Sequence, residues 1–67
     1  MSEEIGTRIR RLRRVRGMSQ TELSKKCGIS RITISKIECG HTPNISTYTA
    51  LALADALEIS VALLLRG

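Results

Sequence analysis

The apolar positions of this 67-residue chain fall at helical spacing almost throughout. Ile5, Ile9 and Leu12 stand at i, i+4 and i+7 and predict one buried face of a helix over roughly Glu3 to Arg16, with Ser2 as its N-cap and Gly17 as its stop. Val15 lies off that stripe. A second helix opens at "SQTE", where the Ser19 hydroxyl can cap the amide of Glu22 and the Glu22 carboxylate can reach back to the amide of Ser19. Leu23 and Cys27 are its inward positions, and Gly28 ends it. Only Gly28 to Ser30 separate it from a third helix, capped by Ser30 and closed by Gly40; a joint that short, with glycine, fits a helix-turn-helix. Ile34 and Ile37 should face inward with Ile29. "GHTPNIS" reads as a loop. A fourth helix starts near Ser46 or Thr47 and runs to Leu57 on the stripe Ala50, Leu53, Ala54 and Leu57. Ser60 caps a last short helix with Val61, Leu64 and Leu65 as its apolar positions. Strand signals are weak, and the lone aromatic, Tyr48, is expected to pack half-buried. The pattern predicts an all-α, compact five-helix bundle forming one domain over residues 1–67.

Some positions do not serve that core. Arg31, Ile32, Thr33, Ser35 and Lys36 are left on the outer side of the third helix, and an isoleucine is odd on a plain soluble surface. Leu51 and Leu63 fall off the inward stripes and are candidates for an intersubunit surface.

Charge sharpens the division. The formal net charge is +5 and the pI about 10.0. Residues 1–40 carry ten cations against four carboxylates, whereas residues 41–67 carry Arg66 against Asp55 and Glu58. A basic front and an apolar back suggest an anionic partner on one side and packing or self-association on the other. The six arginines between Arg8 and Arg16 read mainly as a solvated face. A core of this size supplies only about 3–5 kcal/mol, so tight helix packing or a partner subunit matters.

Several classes are set aside. "ALALADALEISVALLL" is too short and too interrupted to span a bilayer, and the charged N-terminus resembles no secretory leader. A reducing, cytoplasmic setting without membrane contact is expected. Cys27, Cys39 and His41 match no standard zinc spacing, so no metal, cofactor or small-molecule ligand is expected. Cys27 should be core and Cys39 a partly exposed thiol. Nothing in the chain points to an enzyme.

One motif set is more specific. Arg13 precedes the first glycine stop, "SQ" opens the second helix, Leu23 follows, "GIS" forms the turn, "ISKIE-x-G" closes the third helix and "ADALEIS" is similar to an "ADALGVS" pattern. In this order and spacing, from Ile5 to Leu65, the chain resembles the phage-repressor and Cro-like helix-turn-helix family, the XRE class, with its lambda-repressor-like fold. It departs from that pattern at Ser24, where alanine is usual. The stretch between Gly40 and "LADAL" is slightly longer than in the commonest members and resembles a biofilm-regulator and restriction-controller-like branch.

The resemblance implies a sequence-specific regulator of transcription, a repressor-type homodimer reading an inverted repeat in double-stranded DNA. It puts base contacts at Arg31, Ile32 and Lys36. The chemistry agrees: a guanidinium can give two hydrogen bonds to guanine, an isoleucine can pack on a thymine methyl, and an ammonium can reach a second guanine or a phosphate. Thr33 and Ser35 suit base edges or phosphates. Gln20, at a helix N-terminus, suits a phosphate, and Thr42, Asn44 and Ser46 could hold the same strand. Arg13 and Arg16 are the arginines expected nearest the DNA backbone, while Arg13 also matches the family's ion pair with Glu38. Leu63, Leu64 and Leu65 are the expected dimer interface. The competing expectation is a protein-binding module, such as an antitoxin or anti-repressor, whose helical face docks a protein.

Overall fold

Serine caps and left-handed turns divide the chain into five helices: α1 (Ile5–Val15), α2 (Gln20–Cys27), α3 (Arg31–Glu38), α4 (Thr47–Ala56) and α5 (Val61–Arg66). The computed structural model describes residues 4–41 and 45–66. Among these residues there is no strand, and no helix is long and apolar enough to cross a membrane. Ser19 and Glu22 form the reciprocal cap expected of "SQTE", with bonds of 3.1 and 2.9 Å. Ser30, Ser46 and Ser60 each accept from the amide three residues on, all at 3.1 Å. α1 is the exception. It begins at Ile5 with Glu4 at the N-cap and no side-chain cap, and the expected cap Ser2 lies outside the described residues.

Three helices stop in the same way. After α1, the amides of Met18 and Gly17 donate to the carbonyls of Arg13 and Arg14; after α3, those of His41 and Gly40 donate to Lys36 and Ile37. After α4, the amides of Ile59 and Glu58 donate to Ala54 and Asp55. This Schellman arrangement requires a left-handed residue. Gly17 and Gly40 supply it at φ 68° and 80°, but the third position is Glu58, at φ 59°. A side chain there carries a steric cost of about 1 kcal/mol that glycine does not.

The inward stripes meet in one core. Ile9, Leu23, Ile34, Ile37, Leu53, Leu57 and Leu64 are fully enclosed, with Ile29, Ala50, Ala54 and Ala56 completing the core. Ile5, Leu12, Cys27 and Val61 pack against it partly buried. α1 lies on α3 and α5, α2 lies on α3 and α4, and α4 lies on α5. α3 therefore rests on both α1 and α2.

Two features of α1 depart from the sequence expectation. Its arginines are not all a solvated face. Arg8 is buried and donates to the backbone carbonyl of Leu64, tying α1 to the C-terminal end of α5, where unsatisfied carbonyls and the helix dipole favour a cation. Gly6 is buried in the first turn of α1, and a Cβ built on it would stand 2.1 Å from the carbonyl oxygen of Ile37. The backbone of α1 thus sits directly against the last turn of α3. Glycine inside a helix costs up to about 1 kcal/mol relative to alanine, and close packing offsets that here.

Gly6→Ala should therefore destabilise the fold by about 2 kcal/mol despite its better helix propensity, because α1 must be pushed off α3. Glu58→Gly should act in the opposite sense, raising stability by about 1 kcal/mol. Urea unfolding followed by far-ultraviolet circular dichroism reads both. A Gly6→Ala protein as stable as the parent would refute the close approach, and a destabilised Glu58→Gly protein would refute the strain.

Candidate nucleic-acid interface

The outer side of α3 is built by exclusion. Ile34 and Ile37 are drawn into the core, at 0% and 1% exposure, and this fixes the rotation of the helix. Arg31, Ile32, Thr33 and Lys36 then stand exposed, and Ser35 is partly so. Ile32 is 62% exposed, so the odd isoleucine is presented to solvent. The Ser30 hydroxyl caps the amide of Thr33 and donates to the Thr33 hydroxyl at 2.9 Å, which orients that side chain at the tip of the helix.

The joint in front of α3 is stapled as well as turned. Gly28 takes the left-handed conformation at φ 74°, and the Ser24 hydroxyl donates to the carbonyl of Ile29 at 2.6 Å. The departure from alanine at Ser24 thus places a hydrogen bond across the α2–α3 turn. A short polar side chain one turn before a glycine joint is the signal that could have foretold it.

Behind α3, an ion pair closes the geometry. The Arg13 guanidinium grips the Glu38 carboxylate with two bonds, from Nε at 2.9 Å and from an Nη at 3.0 Å. Its other Nη donates to the carbonyl of Met18 at 2.8 Å. Gln20 donates its side-chain amide to the same carboxylate at 3.1 Å. Burial alone would raise the pKa of Glu38. The bonds from Arg13 and Gln20, with the charges of Arg13 and Arg10, outweigh it and hold the group below the ordinary carboxylate range. Glu38 in turn raises Arg13 above its own ordinary value, chiefly through the hydrogen bond between them.

These contacts sort the expected site residues. Arg13 leaves the phosphate-contacting set: it is only 8% exposed, and its fork is committed to Glu38 and Met18. Arg16 is exposed, but it leans on the α4–α5 turn, donating to the Glu58 carbonyl at 3.5 Å. Gln20 stays at the first turn of α2, partly exposed. Ser46 is exposed at the N-terminus of α4 and donates to the Thr49 hydroxyl at 2.9 Å. Thr42 and Asn44 lie outside the described residues. Of the expected interface residues, Leu63 and Leu65 are about half exposed, but Leu64 is fully enclosed in the protomer's own core. Leu64 is therefore unavailable to a partner, because it is the α5 residue enclosed in the core, with Val61 packed partly buried beside that core. Tyr48 also departs from expectation. It is 71% exposed rather than half-buried, one turn before the exposed Leu51 on α4.

The arrangement has known counterparts. A helix-turn-helix family model matches residues 9–64. The master regulator for biofilm formation SinR, solved in complex with DNA, is 33% identical, with a TM-score of 0.86 covering 90% of this chain and 95% of that one. The P22 c2 repressor protein, solved in complex with a synthetic operator, is 35% identical, with a TM-score of 0.88 covering 98% of each chain. The restriction-modification controller protein C.AhdI from Aeromonas hydrophila is 36% identical, with a TM-score of 0.86 covering 91% of each chain. No curated protein sequence matches the chain significantly. The five helices, the capped α2–α3 joint and these likenesses agree, and the chain belongs to the phage-repressor and Cro-like, or XRE, class of the helix-turn-helix family.

Proposed function

We propose that the protein is a sequence-specific, double-stranded DNA-binding regulator of transcription, of the repressor type, acting as a homodimer. One observation carries the reading: Ile32 is exposed between Arg31 and Lys36 on a helix face that none of the chain's other helices covers. An α-helix fits the major groove, where base pairs differ in their donors, acceptors and the thymine methyl. Arg31 takes a guanine, Ile32 a thymine methyl and Lys36 a second guanine or a phosphate. Thr33 and Ser35 lie between base edge and backbone. Gln20 and Ser46, at the N-termini of α2 and α4, hold phosphates. Two of the similar structures were solved with DNA, which supports the choice of partner.

Two α3 helices are needed because one module covers only a half-site and phosphate contacts alone give non-specific affinity. In a two-fold dimer the half-sites of an inverted repeat lie about 34 Å apart. Leu63 and Leu65 on α5 and Leu51 on α4 are exposed, and the reading assigns them to that contact.

Arg31→Ala should cost roughly 1–3 kcal/mol on the preferred site and relax discrimination at one base pair, whereas Gln20→Ala should weaken all duplexes about equally. Selection of bound sites from a random duplex pool, followed by titration of both variants, measures this. A motif unchanged by Arg31→Ala would show that α3 is not read in this register, and absence of any preferred sequence would favour a protein partner. Analytical ultracentrifugation tests the dimer. The parent should sediment as a dimer at high micromolar concentration and Leu63→Glu as a folded monomer; a monomeric parent would remove the homodimer.

A further inference from the structure

Resting on the DNA-binding reading, we infer that Arg10 and Arg14 of α1, with Gln20 of α2, form a phosphate clamp that holds the DNA backbone beside α3. Neither arginine was among the expected contacts. They stand one turn apart on α1, both exposed, and line an open cleft of about 300 Å³ with Arg13, Gln20, Glu38 and Cys39. The cleft therefore touches the start of α2 and the end of α3 at once.

Its charge decides what it takes. Three guanidinium groups line it against one carboxylate. That carboxylate, Glu38, is already held by two bonds from Arg13 and one from Gln20. Arg13 and Glu38 cancel each other, and Arg10 and Arg14 leave a surplus of two positive charges. The N-terminus of α2 adds to it. Its cap engages the amides of Ser19 and Glu22 and leaves those of Gln20 and Thr21 at the positive end of the helix. A guanidinium suits a phosphate because it can give two parallel hydrogen bonds. The cleft opens beside α3, so a duplex lying along Arg31 and Lys36 brings one strand's backbone to it. The clamp carries no sequence information: it sets the register in which α3 meets the base edges.

The test counts counterions. Affinity is measured across a salt series on the selected duplex and on a random duplex, for the parent, Arg10→Gln, Arg14→Gln and the double variant. Each lost phosphate contact should lower the slope of log affinity against log salt by about 0.9 and weaken both duplexes by the same factor. The double Arg→Lys variant should keep the parental slope. Arg11→Gln removes the same charge from the same helix outside the cleft and should leave the slope unchanged. Far-ultraviolet circular dichroism confirms that the variants remain helical. If the parent binds and Arg10→Gln and Arg14→Gln keep its slope, or Arg11→Gln lowers it equally, the clamp is refuted and the DNA reading stands. If the parent binds neither duplex, the DNA reading itself fails.

Discussion

The grip of Arg13 on Glu38 is the contact on which the outer face of α3 depends. α3 has eight residues, about two turns, and an isolated helix of that length is unstable in water. Its direction must come from its neighbours. Ile34 and Ile37 set its rotation by burial, but two apolar anchors on one stripe leave the helix free to slide and tilt. Glu38 at its last turn removes that freedom. It is fixed to α1 by Arg13 and to α2 by Gln20, while the α1 backbone at Gly6 rests against Ile37. At its other end, the Ser30 cap and the Ser24 staple to Ile29 hold the entry. The helix is clamped at both ends and bare between.

This explains why a charged pair stands where an apolar pair would serve stability as well. Desolvation offsets much of the attraction between buried ions, so the net contribution to folding is small. What the pair supplies is direction: a forked donor meeting a planar carboxylate permits one geometry, whereas two leucines permit several. The same arrangement places the Gln20 side chain at the edge of the cleft with its amide already ordered, so a ligand there meets a preset group.

Much of this was legible in the sequence because it is local. The stripes Ile9, Leu23, Ile34, Ile37 and Leu53 follow from period alone, the Ser19 cap from Glu22 three residues on, and the caps at Ser30 and Ser60 from a serine just ahead of each helix. The exposed set on α3 followed by subtraction. What was not legible depends on contacts distant in sequence. Gly6 in the first turn of α1 has no local reason to exist; its reason is Ile37, thirty-one positions later. Arg8 looks like its neighbours along the arginine run, and only the end of α5 distinguishes it. Leu63, Leu64 and Leu65 are chemically alike, and which of them turns inward is fixed by where α5 docks. Tyr48 reads from the sequence as half-buried, but it stands 71% exposed on α4.

The position of α5 links folding to assembly. With six residues it cannot stand alone, and it is seated by Leu64 from inside and by Arg8 at its end. With Leu64 turned inward, Leu63 and Leu65, each about 100° round the helix from it, are left about half exposed. A core this small has little stability to spare, so in the proposed dimer, apolar area covered between subunits would stabilise the very helix that exposes it. Stability would then rise with protein concentration. The two halves of the charge pattern follow from the same arrangement. In the proposed dimer the near-neutral C-terminal helices would meet a second copy of themselves with little charge repulsion. The surplus of arginine and lysine is confined to α1, α2 and α3, where a polyanion can neutralise it.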